Sequence, residues 1–268
     1  MSNRDIVDAL VTAINYDRFD EIQALHDPGV IFHSFRGPTL RDSVALRDWH
    51  HAFLEQYADC TYSEVETVAE GDAVAMRSTI EAKGYDWRAF SQRVLEIARF
   101  EGDLIVDRRL YGMIRDIELD KPALAALDAA HDFQSASASG AKKVVEGFYG
   151  SLLASERDEA AASLDEAVTL IDSVYGITSG VDGVLDLLEA TPSPAFGCAR
   201  VTAVVAGEKD IAVEMAIEPA RPRMADWVRV VEGKILVIER YWMLREIGIN
   251  PFVEYSRDRH RRQVILPK

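Results

Sequence analysis

The chain carries an internal duplication, because three segments of its first half return in the same order in its second half. Such a repeat indicates that each half folds as a supersecondary unit of its own. At 268 residues the chain is long enough for two ordinary hydrophobic cores. The matching pairs are HSFRG and DSVYG (33–37 and 172–176), AEGDAVAMRSTIE and AGEKDIAVEMAIE (69–81 and 206–218), and RFEGDLIVDRRLY and RVVEGKILVIERYW (99–111 and 229–242).

A polar connector separates the two copies. Residues 128–143 are small, rich in Ser and Ala and without an apolar period, which is typical of a solvated linker. We therefore predict a first domain over 1–127 and a second over 144–250. Residues 251–268 form a basic C-terminal tail, which we expect to pair with acidic surface, to close over a pocket or to reach the other half.

Each half begins with helices and ends with strands. Ile6, Leu10 and Ile14 recur at four-residue steps, which is the apolar stripe of an amphipathic helix, and the second half begins in the same way. A strand and a third helix follow, and then several β-rich runs separated by Gly-containing turns. This order predicts an α+β fold of two tandem cone-shaped barrels, in which a curved antiparallel sheet wraps around the N-terminal helices and encloses a cavity.

The charge balance restricts the possible partners. A formal net charge of -15 and a sequence pI of about 4.8 predict a field that repels phosphate and anionic lipid, so neither nucleic acid nor a membrane is expected as a partner. No apolar run approaches the ~20 residues of a membrane span, and the N-terminus lacks the pattern of a signal peptide. With two cysteines the chain has no disulfide framework, so we predict a cytoplasmic protein.

The usual signatures of bound cofactors are missing from the sequence. It contains no GxGxxG, no GKS/T phosphate loop and no GxSxG nucleophile elbow. His50 and His51 are neighbours on the predicted third helix, where adjacent side chains point about 100° apart, so they cannot both serve one metal. We therefore predict a protein without cofactor or metal, whose partner is a small, largely apolar molecule.

Three polar residues of the second half are predicted to converge on its apolar interior. Side chains alternate along a strand, which places Asp172 on the same face as Leu170 and turns Asp226 inward on a later strand. Tyr149 lies four residues after Val145, on the buried stripe of the first helix. Burial disfavours the charged form of a carboxylate, so an Asp in such a pocket can serve as a base or as a neutral hydrogen-bond donor.

The order of elements resembles that of the nuclear transport factor 2-like superfamily, and within it the SnoaL-like polyketide cyclase and ketosteroid isomerase branch. The resemblance lies in the FYGSLL first helix (148–153), the strand that enters a Gly turn and the late EGKI hairpin (232–235). It covers nearly all of residues 1–120 and 141–250 through loose turn and strand patterns. Members are commonly dimers, so the resemblance implies that the duplication forms an intramolecular pseudo-dimer, with further homo-oligomers left open.

The resemblance to ketosteroid isomerases also implies roles for the three residues. Asp172 would be the base, and Tyr149 and Asp226 would donate hydrogen bonds to a developing enolate oxygen. The interval from Asp172 to Asp226 is shorter than in that family, and residues 219–223 replace a regular hairpin. A tyrosine and an aspartate at these positions also occur in members that catalyse nothing, so a structural role is the alternative.

The first half offers one candidate, His33, which matches Asp172 in the aligned segments and is predicted to face the interior with Phe35. A neutral histidine can act as a base near pH 7, and a hydrogen-bonded core histidine is the alternative. Residues 107–109 resemble the Asp and Arg positions of limonene epoxide hydrolase-like relatives. Gly112 stands where those relatives have an acid, so we assign residues 107–109 no role.

These features favour a cofactor-independent acid–base enzyme, an isomerase, cyclase, dehydratase or other lyase, acting on a small hydrophobic carbonyl, phenolic or hydroxylated molecule. The alternative is a non-catalytic small-molecule-binding or assembly protein with vestigial pockets. The contacts of Asp172 distinguish the two hypotheses. A catalytic carboxyl is perturbed by an apolar pocket, whereas a structural one is satisfied by local backbone or Arg partners.

Overall fold

The computed structural model describes residues 1–35, 37–55, 57–84, 89–113, 138–172, 174, 176–190, 200–218 and 221–248. The chain divides into two compact units, Met1–Gly112 and Met113–Lys268. The basic tail predicted over 251–268 lies outside the described residues, as does most of the predicted linker. In the described ranges no helix is long and apolar enough to cross a membrane. The pseudo-dimer stays a prediction.

The first unit has helices and strands in the predicted order. Its elements are α1 (Asn3–Asn15), α2 (Phe19–Ala24), β1 (His26–Ser34), α3 (Ser43–Glu55), β2 (Tyr57–Glu70), β3 (Ala73–Gly84), β4 (Ala89–Glu101) and β5 (Leu104–Gly112).

Helix α1 begins where its sequence satisfies the free backbone groups of a helix start. The Ser2 side chain accepts from the Asp5 amide, and the Asp5 side chain accepts from the Ser2 amide, which is a capping box. Ile6, Leu10 and Ile14 are all buried. The predicted apolar stripe is therefore confirmed.

The sheet of the first unit is mostly antiparallel. Strands β2, β3, β4 and β5 pair antiparallel in that order, whereas β1 runs parallel to β5, because the long connection between these two strands permits a parallel pairing. Arg108 lies beside Phe32 on one side and Ala98 on the other, and Leu110 lies beside Glu96. Paired residues point to the same side of a sheet, so these five residues share one face.

Gly112 ends β5 where another chain segment comes very close. A Cβ atom at this position would lie 2.6 Å from the ring of Phe35, which is fully buried. The close packing of this ring leaves room only for glycine. This contact gives a structural reason for glycine at position 112.

The second unit repeats the order of elements. They are α4 (Ala138–Leu153), α5 (Arg157–Ala162), β6 (Leu164–Asp172), β7 (Gly176–Ser179), α6 (Val181–Ala190), β8 (Arg200–Ala206), β9 (Asp210–Glu218), β10 (Arg221–Val231), β11 (Lys234–Trp242) and a 3-10 turn (Leu244–Ile247). Strands β8 to β11 pair antiparallel in chain order, β6 runs parallel to β11, and β7 pairs antiparallel with β6.

Helix α4 begins earlier than the sequence pattern predicts. It starts at Ala138, inside the segment that we interpret as a linker from its small and polar residues. Ala141 is fully buried, so small residues here are part of the helix packing. Alanine has the highest helix propensity, and an apolar stripe built from it lacks the large side chains by which periodicity is recognised.

Candidate functional site

Helix α4 and strand β10 bring Tyr149 and Asp226 together inside the second unit. Both residues are fully buried. The Tyr149 hydroxyl donates to Oδ2 of Asp226 at 2.5 Å. Burial and the neighbouring Asp226 carboxyl hold the pKa of Tyr149 well above its ordinary value. The inward placement of the two residues is confirmed, and the phenol keeps its proton at neutral pH.

Arg240 completes this contact from the neighbouring strand. In the register of β10 and β11, Asp226 lies directly opposite Arg240. Arg240 donates from Nε to Oδ1 of Asp226 at 2.8 Å and from Nη2 to Oδ2 at 2.7 Å. Both Asp226 oxygens are therefore acceptors. The predicted role of Asp226 as a hydrogen-bond donor to the substrate is wrong, because both of its oxygens accept hydrogen bonds from the buried Arg240 guanidinium.

Asp172 ends strand β6 next to the same guanidinium. It is 1% exposed, and its Cα partner in β11 is Arg240. Its Oδ1 accepts from Nε1 of Trp242 at 2.9 Å and from the Val174 amide at 2.8 Å. Burial by itself would lower the pKa of Arg240, but Asp226, Tyr149 and Asp172 together raise it. The inward placement of Asp172 is confirmed, and its carboxyl is held in one position.

Two buried carboxyls and one buried guanidinium lie close together in this cluster. Asp226 forms an ion pair with Arg240, and Asp172 acts electrostatically on the same guanidinium. We define Tyr149, Asp172, Asp226 and Arg240 as the acid cluster.

The first unit contains a second buried polar cluster, which the sequence analysis missed. Arg108 donates to both oxygens of Glu96, from Nε at 2.6 Å and from Nη2 at 2.8 Å. Its Nη1 lies 2.9 Å from Nε2 of His50 on α3. Because a guanidinium can only donate, this His50 nitrogen is the acceptor. Arg108 is fully buried, with Glu96 and His50 at 2% and 1% exposure.

His26, at the start of β1, belongs to the same cluster. It is 3% exposed, and its Nδ1 lies 2.6 Å from the Ile22 carbonyl oxygen, which fixes the proton on Nδ1. Burial and the Arg108 charge lower the pKa of His26 to about 3. Burial, Arg108 and His26 lower the pKa of His50 well below its ordinary value. Both imidazoles are therefore neutral. We define His26, His50, Glu96 and Arg108 as the histidine cluster.

His33 does not face this interior, so its predicted placement is wrong. Along β1 the buried residues are Val30, Phe32 and Ser34, while His33 is half-buried and its Nδ1 lies 3.1 Å from the Thr39 hydroxyl. Ser34 is the last residue of the 9-residue β1, as Asp172 is of the 9-residue β6. The match to Asp172 is thus displaced by one residue, and a one-residue shift reverses the face of a strand.

Three of the missed residues, Glu96, Arg108 and Arg240, are charged side chains on strands, and the sequence patterns assigned them no role. Strand alternation contained a usable signal for one of them. Arg240 lies two residues from both Ile238 and Trp242, which are fully buried. Alternation alone therefore places Arg240 among inward residues. For Glu96 and Arg108 the contact depends on the pairing of β4 with β5, which the sequence of either strand alone does not reveal. In the described residues no group of three His, Cys, Asp or Glu side chains is placed to hold a metal.

The comparison with protein families concerns the first unit. The family model of the SnoaL-like domain matches residues 7–108. The first unit is similar to this family over the matched residues, and we refer to it as the SnoaL-like unit. This match supports the nuclear transport factor 2-like α+β fold for the first unit, while the tandem arrangement stays a prediction. A comparison with curated proteins finds no match.

Several solved structures are similar to part of the chain. One is a hypothetical protein with a ketosteroid isomerase-like fold from Catenulispora acidiphila in complex with trimethylamine, with a TM-score of 0.38 and 15% identity over 40% of this chain and 83% of that chain. A second is a provisionally named polyketide cyclase from Xanthomonas campestris, with a TM-score of 0.39 and 15% identity over 41% of this chain and 92% of that chain. A third is IdmH from Streptomyces antibioticus, also provisionally named a polyketide cyclase, with a TM-score of 0.39 and 19% identity over 42% of this chain and 92% of that chain.

Because the histidine cluster holds its imidazoles neutral in the folded state, we expect acid to destabilise the SnoaL-like unit. Imidazoles of the unfolded chain have a pKa of about 6.5, whereas the pKa of buried His26 is lowered to about 3. Unfolding therefore takes up a proton within this window. The stabilisation is complete above pH ~6.5 and is lost as pH falls toward ~3, at roughly 1.4 kcal/mol per pH unit. Among the described residues, the charged groups around His26 and His50 are Arg108 and Glu96.

The measurement is urea denaturation of the full chain between pH 4 and 7, with hydrogen exchange to locate the unfolding unit. We expect His26→Asn to reduce the pH slope of the free energy of unfolding by roughly 1.4 kcal/mol per pH unit. His51→Asn removes an exposed imidazole from α3 and serves as the control. An identical slope in His26→Asn and the parent protein would contradict the neutral state of His26.

Proposed function

We propose that the second unit is a cofactor-independent acid–base enzyme acting on a small, largely apolar carbonyl, phenolic or hydroxylated compound. The observation that carries this proposal is that Tyr149, Asp172, Asp226 and Arg240 come together at buried positions. Burial disfavours the charged form of a carboxyl, and a buried carboxyl beside other polar groups can serve as a general base. Asp172 is the carboxyl that we propose for this role.

The proposed step is abstraction of a proton from carbon next to a carbonyl group. The C–H bond breaks, an O–H bond forms on Asp172, and the electron pair moves into an enolate whose charge lies on the carbonyl oxygen. The negative charge thus leaves Asp172 and appears on the substrate, within the field of Arg240. A preorganised cation at this place stabilises the developing charge without reorganisation. Return of the proton to another carbon gives an isomerase, and loss of a leaving group gives a lyase.

The contacts of Tyr149 revise its predicted role. Its hydroxyl proton is engaged by Asp226, and its raised pKa opposes release of that proton. Tyr149 is therefore proposed as a positioning residue, whose hydroxyl is engaged by both Asp226 and Arg240. Asp226 and Arg240 hold the phenol in this orientation.

The test is deuterium exchange into 2-tetralone, a small apolar ketone with acidic protons next to its carbonyl. We expect the parent protein to accelerate exchange in D2O, followed by proton NMR, and Asp172→Asn to lose at least about 100-fold of this activity. The amide oxygen of Asn can still accept from Trp242 and the Val174 amide, so the variant should stay folded. His33→Asn, outside the second unit, is the control and should exchange like the parent.

Equal exchange by folded Asp172→Asn and the parent would remove Asp172 from the mechanism. Complete absence of protein-dependent exchange would favour the second candidate function, a non-catalytic small-molecule-binding or assembly protein. One observation supports that candidate: Oδ1 of Asp172 is satisfied by a local amide and an indole, as expected of a structural carboxyl.

The second candidate has its own measurement. A ligand at about 100 times its Kd stabilises a protein by roughly 2.7 kcal/mol. A thermal-shift screen of the parent against steroids, polyketide-like aromatics and terpenoids therefore detects binding, and mass spectrometry of the hits detects conversion. Hits that stay unchanged support a binding protein.

A further inference from the structure

The outer edge of strand β2 is covered by a side chain of α1. Among the described residues β2 pairs with β3 only, so its other side is an edge of the sheet. The Asn15 side chain donates from Nδ2 to the Tyr62 carbonyl at 3.0 Å and accepts at Oδ1 from the Tyr62 amide at 2.7 Å. One side chain thus satisfies both backbone groups of Tyr62.

These two hydrogen bonds reproduce the contact between antiparallel strands. In such strands two opposed residues exchange both of their N–H···O bonds. Asn15 supplies the same donor and the same acceptor from its side chain. An edge strand with unpaired backbone groups is a template for pairing with another chain. Asn15 therefore occupies the place at which a further strand would bind.

The edge of β2 is blocked in a different way beyond Tyr62. The register of β2 with β3 shifts between Ser63 and Glu66, and the side chains of Glu64 and Glu66 are exposed. Bulges and charged side chains are common means by which native proteins block an edge. Tyr62 lies just before this bulge. Asn15 therefore covers a part of the edge that the bulge and the carboxylates do not protect.

The second unit shows that the order of elements does not require this contact. Asn15 is the last residue of α1, and Leu153 is the last residue of α4, the corresponding helix. Leu153 is 37% exposed, and a leucine side chain cannot exchange hydrogen bonds with a strand. The contact between Asn15 and Tyr62 is therefore a property of the first unit.

The partner that fits the β2 edge best is the same edge of a second copy. An edge residue that offers both its amide and its carbonyl is complementary to itself in an antiparallel pair. Tyr62 of one copy can exchange both hydrogen bonds with Tyr62 of the other about a twofold axis. Its neighbours Thr61 and Ser63 carry no charge, so they do not oppose this approach.

We propose that Asn15 prevents two copies of this chain from pairing through their β2 edges. The β2 edge is thus an interaction surface for a second copy, and α1 holds it closed. This inference concerns the first unit and does not depend on the activity proposed for the second unit.

The test is sedimentation velocity of the full-length Asn15→Ala variant. We expect it to self-associate at least about tenfold more tightly than the parent, because two hydrogen bonds no longer compete with strand pairing. Asn3→Ala is the matched control. It also removes an asparagine from α1, but its Nδ2 donates to the Gly71 carbonyl in the turn after β2. This control should associate like the parent.

A charge added to the edge identifies the surface that is used. Val65→Glu places a third carboxylate beside Glu64 and Glu66, at an exposed position of β2. In the Asn15→Ala background we expect it to weaken association at least about fivefold, because like charges on the two edges repel. Val44→Glu changes the net charge equally at an exposed position of α3, and should weaken association far less.

Hydrogen exchange of the Tyr62 amide needs no substitution and remains valid if Asn15→Ala fails to fold. We expect slow exchange in the parent, because this amide donates to Asn15. In Asn15→Ala its protection should rise with protein concentration. The proposal would be overturned by a Tyr62 amide that exchanges in the parent as fast as an exposed amide, or by Asn15→Ala associating no more than the parent. Association that Val65→Glu weakens no more than Val44→Glu does would also overturn it, since another surface would then be responsible.

Discussion

Replacing Arg240 with methionine is expected to lower the free energy of unfolding of the protein by about 5 kcal/mol, the upper end of the range for a broken buried ion pair. Methionine fills most of the volume of the arginine stem but supplies no charge or donor. The substitution leaves both Asp226 and Asp172 without their guanidinium in a fully buried place. Urea denaturation of the full chain measures the loss, and hydrogen exchange of β10 and β11 locates it.

Two further variants separate charge from packing at Arg240. Asp226→Asn added to Arg240→Met removes one stranded charge and leaves an amide oxygen for the Tyr149 hydroxyl, so it should recover at least about 1 kcal/mol. Arg157→Met is the surface control, because its partners Asp186 and Glu189 are exposed and water screens the pair. Arg157→Met should therefore lower the free energy of unfolding far less than Arg240→Met does. An Arg240→Met variant as stable as Arg157→Met would show that the acid cluster does not depend on its cation.

Replacing Arg108 with methionine should destabilise the SnoaL-like unit by about 3–5 kcal/mol. The change strands one buried carboxyl, Glu96, and removes the donor to Nε2 of His50. Because only one carboxyl is stranded, we expect a smaller loss than for Arg240→Met. The measurement is the same denaturation series, with hydrogen exchange of β4 and β5 as the local probe.

The matched variants for this prediction lie in the same unit. Glu96→Gln combined with Arg108→Met removes the stranded charge and should regain part of the loss. Arg47→Met removes an arginine of α3 that pairs with exposed Asp48, and should change the free energy of unfolding by less than about 1 kcal/mol. A double variant less stable than Arg108→Met alone would contradict the view that the cost arises from the stranded Glu96 charge.

The elements of the fold follow largely from local patterns in the sequence. The four-residue stripe of Ile6, Leu10 and Ile14 predicts α1, and alternation predicts the inward side of β6 with Asp172. Periodicity succeeds here because one face of each element is buried, and burial forces large apolar side chains onto that face. The start of α4 was missed because alanine-rich turns lack such side chains.

The same reasoning fails where a single residue of register matters. Aligning HSFRG with DSVYG pairs His33 with Asp172, whereas the strand positions pair Ser34 with it. Sequence similarity between short segments tolerates a shift of one residue, but a strand does not, because its two faces differ in every contact. His33 consequently lies on the wrong face for its predicted role.

The sequence by itself determined the acidic balance of the chain, the α+β order of each half and the inward placement of Tyr149, Asp172 and Asp226. The element order and the inward placement depend on spacing along one segment. Only the tertiary structure decided which charges meet: Arg240 with Asp226, and Arg108 with Glu96 and His50. Such contacts join segments far apart in sequence. Whether a carboxyl donates or accepts depends on these cross-strand neighbours, and no local pattern records them.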